Sequence, residues 1–295
     1  MALLTTEAPA KINLCLFVGP PRGDGHHEVV TLMDSLTLCD ELRMETEAPG
    51  FVEDEVLCTG VEGPNLAATA LRAFREATGW DGPPVRLEID KRIPVAGGMG
   101  GGSADAAAAL RLASEASGLG DRRVLEEVAS TLGADVASQI CGGLVLATGE
   151  GSRLRPLNLS LPYSVVVLPA DAELSSADVY AEADRLGLPR ETLDLARSLT
   201  RTQAALSSET ILEHLHNDLQ DAARSLCPQI DESLEAVLAA GADHALVSGS
   251  GPTVLGVFTE AGHAERAARV CESMADEGRT PSPVLAHPAR RFEVR

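Results

Sequence analysis

Aromatic side chains are scarce: Phe, Tyr and Trp together number eight in 295 residues, and none is interleaved with basic residues. Binders of single-stranded nucleic acid stack bases on such rings along a cationic track, so the composition argues against that class. Positive charge is short as well, with 24 basic against 44 acidic residues, a net charge of −20, and no Lys/Arg-rich run. A chain of that sign repels phosphate backbones and anionic membrane surfaces, so neither nucleic acid nor membrane is expected as a partner. Long apolar runs are missing too. The opening segment, MALLTTEAPAKINLCLF, has no basic start, and no stretch nears twenty apolar residues. Neither a signal peptide nor a transmembrane helix is expected. The six cysteines (Cys15, Cys39, Cys58, Cys141, Cys227 and Cys271) stand singly, with no C-x-x-C pair. They read as buried, reduced thiols of a cytoplasmic protein. Rarest of the charged residues is lysine, present only at Lys11 and Lys91 against 22 arginines. GC-rich coding accounts for an arginine bias but not for an ammonium retained at these two places, since the two cations are not interchangeable.

What is present is a chain 44% hydrophobic and 23% charged, with 27 Gly and 17 Pro. It can bury one large core or two ordinary ones, which excludes disordered, collagen-like and disulfide-stapled classes. Short apolar runs between polar turns in the first 45 residues predict strands and hairpins. Asn65 and Gly79 punctuate an amphipathic helix, Val85 to Ile89 alternates as a half-buried strand, and Asp121 and Gly133 bracket a second amphipathic helix. A loop at Pro156 to Pro162 precedes a buried strand, Ser164 to Leu168, which puts a domain boundary near 160 and divides the chain into 1–160 and 161–295. The second half reads as helices at Ser176 to Leu186, Leu193 to Leu206, His214 to Leu226 and around Ile230 to Leu238. A strand, glycine turn and strand (Ala245 to Phe258) and a last helix (Glu260 to Asp276) follow. Without a regular βαβα repeat, the class is a two-domain α+β protein.

Three segments carry chemistry. In Pro94-Val95-Ala96-Gly97-Gly98-Met99-Gly100-Gly101-Gly102-Ser103-Ala104, five glycines in six residues lie between a predicted strand and an alanine-rich predicted helix. Such a loop lets backbone N–H groups converge, and the helix N-terminus adds partial positive charge, so the segment suits a phosphate. Ser103 serves either as the helix N-cap or as a hydroxyl ligand to phosphate or metal, and Asp105 falls in the first turn, where acids are favoured. Neither G-x-x-x-x-G-K-[ST] nor G-x-G-x-x-G fits, which rejects the P-loop and the Rossmann fingerprint. In Pro9-Ala10-Lys11-Ile12-Asn13-Leu14 the cation and the amide stand two apart on a strand and share a face. Ser248-Gly249-Ser250-Gly251-Pro252-Thr253 joins two apolar strands through a glycine turn.

Together and in this order, the P-A-K-I-N-L, P-x-x-G-G-M-G-G-G-S-A-D-A-A and S-G-S-G-P-T segments resemble the three motifs of the GHMP kinases, the kinases of galactose, homoserine, mevalonate and phosphomevalonate. The segments G-D-G-H-H-E-V (Gly23 to Val29), T-L-M (Thr31 to Met33), T-L-G-A-D-V (Thr131 to Val136) and N-D-L-Q (Asn217 to Gln220) are similar to the branch that phosphorylates a cytidyl diphosphate-linked methylerythritol. The resemblance spans essentially the whole chain. It implies an N-terminal domain like domain 2 of ribosomal protein S5, a ferredoxin-like C-terminal domain, and a monomer or homodimer using ATP and Mg²⁺ on a small-molecule substrate. It implies that Lys11 and Asp135 form the catalytic pair, that 94–104 cradles the ATP phosphates, and that Ser248, Gly249, Ser250 and Gly251 close the site. On sequence alone Asp135 would equally cap the turn after Gly133.

For the substrate, the resemblance implies contacts from Asn13, from His27 and from a ring at position 26, where His26 stands in place of the usual tyrosine. Tyr180 falls near the family's second stacking aromatic, with a core role as its alternative. Ala137 replaces a proline usual after A-D-V. A homoserine- or mevalonate-type kinase and a catalytically silent nucleotide sensor remain as rival functions. The pairs His26-His27 and His214/His216 lack metal-ligand spacing, and no metal site built by the protein alone is expected.

Overall fold

The computed structural model describes residues 3–46, 52–61, 63–170 and 172–293. It opens on a long antiparallel hairpin, β1 (Leu3–Pro21) and β2 (His27–Thr46). The sequence suggests several short strands here, but both faces of the middle of the hairpin, Ala8 to Leu16 and Val29 to Leu36, are buried, so polar alternation marks only the far part, as at Leu36 to Met44. Register shifts fall between Pro9 and Lys11 and between Asn13 and Cys15. These irregularities bracket Lys11 and Asn13 and re-aim that short stretch of strand.

Around the hairpin the first sheet adds β3 (Glu55–Cys58), β4 (Val85–Asp90), β5 (Val145–Gly149), β6 (Arg153–Pro156) and β8 (His216–Asn217), in the order β3-β4-β2-β1-β8 with β5 joining β2 to β6. Its helices are α1 (Leu66–Thr78), α2 (Gly101–Ser117), α3 (Arg122–Leu132) and α4 (Ala134–Gln139). Asn65 caps α1 by accepting from the Ala67 N–H, and Gly79 closes it at φ 68°. Buried Ala67, Ala70, Leu71 and Phe74 form its inner face. On α2, Ala104, Ala106, Ala107, Ala108, Ala109 and Ala113 are fully buried, and their small side chains bring α1 and the sheet close to its axis.

The second sheet runs β11-β7-β10-β9, with β7 (Ser164–Leu168), β9 (His244–Val247), β10 (Val254–Phe258) and β11 (Val284–Ala286) antiparallel throughout. With α8 (Gln229–Ala239) before β9 and α9 (His263–Asp276) after β10, this is the ferredoxin-like arrangement. Three further helices, α5 (Ser176–Leu186), α6 (Thr192–Ser207) and α7 (Gln220–Leu226), lie between β7 and α8. The fold is therefore α+β with the two expected parts.

One expected helix does not form as read. His214 to Asp218 instead contains the two-residue strand β8, parallel to β1. Tertiary hydrogen bonds outweigh local propensity here: the Asn217 side chain donates to the Val247 and Gly249 carbonyls and accepts from the Leu219 N–H. All six cysteines are free thiols, but Cys39 and Cys58 are only half-buried. No helix among the described residues is long and apolar enough to cross a membrane.

Candidate active site

The three sequence segments meet in one cleft of about 490 Å³. β1 brings Lys11 and Asn13, the loop after β4 leads into α2, α4 brings Asp135, and the β9–β10 turn closes over them. The contact is intimate enough to demand glycine. At Gly98 (φ 74°) a Cβ would stand 2.2 Å from the Ser248 carbonyl, and at Gly249 (φ 55°) it would lie 3.0 Å from the Gly98 carbonyl and 3.2 Å from Asn13 Oδ1. The Ser248 hydroxyl donates to the Gly98 carbonyl (3.2 Å), and the Lys11 N–H donates to the Met99 carbonyl (2.9 Å). The segments thus interlock through main chain, which only residues without Cβ permit at these positions.

α2 starts one turn earlier than the serine suggests. Its N-cap is Gly100, left-handed at φ 67° with no side-chain cap, so Ser103 lies inside the first turn and is not the cap. Its side chain is among those lining the cleft. The backbone N–H groups of this first turn have no helical acceptor, which leaves them available to an anion. Asp105 is correspondingly not in the first turn but buried at 3% exposure. The two lysines flank this helix terminus: a Cβ on Gly100 would meet Lys11 Cγ at 2.9 Å, and one on Gly101 would meet Lys91 Nζ at 3.1 Å. The Lys91 charge is taken up by two acidic side chains, so in a chain of net charge −20 the positive potential offered to a phosphate comes from the N–H groups of the helix terminus with Lys11 beside them.

Lys11 Nζ donates to Asn13 Oδ1 (2.9 Å) and stands 3.5 Å from Asp135 Oδ2. The ammonium is sheltered while the carboxylate side chain, 42% exposed, projects into the open cleft. Gly133 is the N-cap of α4, so the capping alternative for Asp135 is ruled out and its carboxylate is free to face the cavity. The helix is keyed to β1 from behind. Gln139 Nε2 donates to the Pro9 carbonyl (2.9 Å), and Arg111 bridges the Gln139 and Glu7 carbonyls at 2.9 and 2.7 Å.

Lys91 holds a buried cluster, donating to Asp40 (2.5 Å) and Asp105 (2.8 Å). Asp40 also accepts from the Arg92 and Ile93 N–H groups. Two carboxylates share one ammonium, and burial, opposed by Lys91, raises the Asp105 carboxyl to about 7. Tyr180 also lines the cleft, its phenol raised to about 12 by burial and then by the charge of Asp135. Its ring stands 5.3 Å from that of His27.

Of the sequence-predicted residues, the cleft is lined by Lys11, Asn13, Pro94 to Gly98, Gly100 to Ser103, Asp135, Tyr180, Gly249 and Ser250. Met99 and Ala104 turn into the core, and Ser248 is buried behind the turn. His27 is one layer back, donating from Nδ1 to the Gly19 carbonyl (2.8 Å) with Nε2 3.4 Å from Asp184. His26 is exposed in the β1–β2 turn and does not line the cleft. Sequence reasoning missed Thr31, Cys58, Asn65, Asp105 and Lys91 as lining residues. Of these, Thr31 and Asp105 lie inside the motifs quoted above, and Lys91 stands out by its rarity as a lysine.

Residues 65–147 match the GHMP kinases N terminal domain, and residues 195–276 match the GHMP kinases C terminal domain. The 4-diphosphocytidyl-2-C-methyl-D-erythritol kinase of Thermobifida fusca (strain YX) is 40% identical over 96% of this chain and 95% of that protein. The chain belongs to the 4-diphosphocytidyl-2-C-methyl-D-erythritol kinase family of GHMP kinases. The kinase of that name from Streptomyces coelicolor (strain ATCC BAA-471 / A3(2) / M145) is 40% identical over 88% of each chain. A crystal structure of 4-(cytidine 5'-diphospho)-2C-methyl-D-erythritol kinase superposes on this GHMP kinase with a TM-score of 0.76 at 31% identity, covering 97% of this chain and 100% of that one. Homoserine kinase from Cytophaga hutchinsonii ATCC 33406 reaches a TM-score of 0.75 at 16% identity over 100% and 98%, a likeness of fold alone.

Proposed function

We infer that this GHMP kinase transfers the γ-phosphoryl group of ATP to the 2-hydroxyl of 4-diphosphocytidyl-2-C-methyl-D-erythritol, a step of non-mevalonate isoprenoid biosynthesis in the cytoplasm. The observation that carries the reading is the Lys11–Asp135 pair, 3.5 Å apart, in one cleft with the glycine-rich terminus of α2. Residues 1–160 supply the phosphate loop and the pair, and 161–295 close the cleft through Tyr180 and the Ser248–Gly251 turn.

Phosphoryl transfer asks for positioning and electrostatic stabilisation more than for covalent chemistry. The first-turn N–H groups of α2 cradle the ATP phosphates. Asp135 accepts the proton of the substrate hydroxyl or holds it in line, and Lys11 offsets the charge that develops. Ser103, an oxygen donor lining the cleft, is of the type a hard cation takes and would hold Mg²⁺. Among the described residues no group of three or more His, Cys, Asp or Glu would hold a metal alone, so nucleotide and water would supply most of the ion's ligands. When bound, it neutralises charge on the transferring phosphoryl group. Asn13 and Tyr180 contact the alcohol. His27 backs the Tyr180 ring, whereas His26, exposed in the β1–β2 turn, lies outside the cleft.

The test is ADP release with ATP and Mg²⁺, comparing the cytidyl alcohol with homoserine, mevalonate and galactose. Turnover on the cytidyl alcohol alone is expected. Turnover on another alcohol overturns the substrate, and nucleotide binding without any turnover establishes a silent sensor.

A further inference from the structure

We propose that Thr31 is a positioning residue that sets the polarity of the Asn13 amide and thereby holds the Lys11 ammonium in place. The proposal rests on the kinase reading for its kinetic consequence, but its geometry stands independently.

Thr31 is 4% exposed, lies on β2 and has its side chain against Asn13. Its hydroxyl lies 2.8 Å from the Cys15 carbonyl and 2.7 Å from Asn13 Nδ2. A carbonyl only accepts, so the single hydroxyl proton goes to Cys15, and the hydroxyl oxygen is left to accept from Asn13. That choice fixes the amide: Nδ2 faces Thr31 and Oδ1 faces Lys11, which donates to it at 2.9 Å. The flipped amide would present two N–H donors to an ammonium that has only donors, and a bare carbonyl to a hydroxyl whose proton is already committed. Both mismatches are buried, with Asn13 also at 4% exposure, where an unpaired polar group is costly. One main-chain carbonyl thus sets, through two side chains, the direction of the charge that faces Asp135.

Removing the hydroxyl with Thr31→Val keeps the shape and deletes both bonds, and Thr31→Ser keeps the hydroxyl. Because Lys11 and Lys91 are the only lysines, uniformly labelled lysine gives two side-chain NMR signals, assigned with Lys11→Arg. Thr31→Val is expected to move the Lys11 signal and not that of Lys91. It should lower kcat about tenfold or more, while KM for ATP stays within roughly twofold. Thr31→Ser restores both the signal and most of the rate. In an Asn13→Ala background Thr31→Val adds no further loss, because the group it orients is gone. Thr31→Ala replaces Thr31→Val in every arm should the latter not fold.

A Lys11 signal unmoved by loss of the hydroxyl overturns the proposal whatever happens to the rate, and so do losses that multiply with Asn13→Ala. If the wild type does not turn over the cytidyl alcohol, the proposed function fails, and the NMR arm alone decides the role of Thr31.

Discussion

Lys11 Nζ lies 3.5 Å from Asp135 Oδ2, joining the first strand of the chain to the short helix α4 across the mouth of the cleft. The pair is unequal, since the ammonium is hydrogen-bonded from behind by Asn13 while the carboxylate projects forward. Such an arrangement leaves the carboxylate free to meet a hydroxyl and keeps the cation fixed beside it.

Asp135→Asn retains size and loses the basic oxygen. It is expected to cut turnover ~100-fold or more while leaving ATP affinity unchanged. Steady-state kinetics alongside nucleotide titration check this, and wild-type-like turnover would remove Asp135 from the chemistry.

Gly98→Ala places a methyl group 2.2 Å from the Ser248 carbonyl at a φ of 74°. The loops must part, at a cost of roughly 1–3 kcal/mol in stability. Urea unfolding measures that loss, and ATP affinity should weaken with it. A variant of unchanged stability would show that the close approach of the two loops is dispensable.

Tyr180→Ala removes a ring that lines the cleft and packs against His27. KM for the cytidyl alcohol is expected to rise about tenfold with KM for ATP unchanged, and Tyr180→Phe should stay near wild type. Equal effects on both substrates would assign Tyr180 to the core.

Asp105 gives a pH dependence of defined sign. Its carboxyl is raised by burial from 3.8 to about 7, so the folded state holds the proton more tightly than the unfolded one. Its contribution to stability is full below the ordinary carboxylate range and is lost as pH rises through about 7. Asp105→Asn leaves Lys91 paired with Asp40 alone and removes this term. Relative to wild type, its Tm should therefore gain more at pH 8 than at pH 5. A constant difference across that range would show that Asp105 does not titrate there.

The local devices of the fold are legible in the sequence because they act between near neighbours. Asn65 and Gly79 delimit α1, Asp121 caps α3 by accepting from the Val124 N–H, and Val85 to Ile89 alternates in strand β4. The three motifs, two of them glycine-rich, are legible as well, since each needs particular residues at fixed short spacing. The start of α2 was not. A left-handed Gly100 caps it without a side chain, whereas a sequence reading looks to Ser103 for a hydroxyl cap. Likewise the segment around His216 and Asn217 takes its conformation from the carbonyls of Val247 and Gly249, which no local pattern announces.

The sequence by itself determined the two-part α+β class and marked the segments that line the cleft, because residue type, glycine spacing and periodicity are properties of the chain alone. Tertiary structure decided that Lys91 bridges two buried acidic side chains beside α2, that Asp135 faces the cavity and does not cap a turn, and that Thr31 stands behind Asn13. Each of these depends on which distant groups remain unpaired once water is excluded, and only the packed fold settles that.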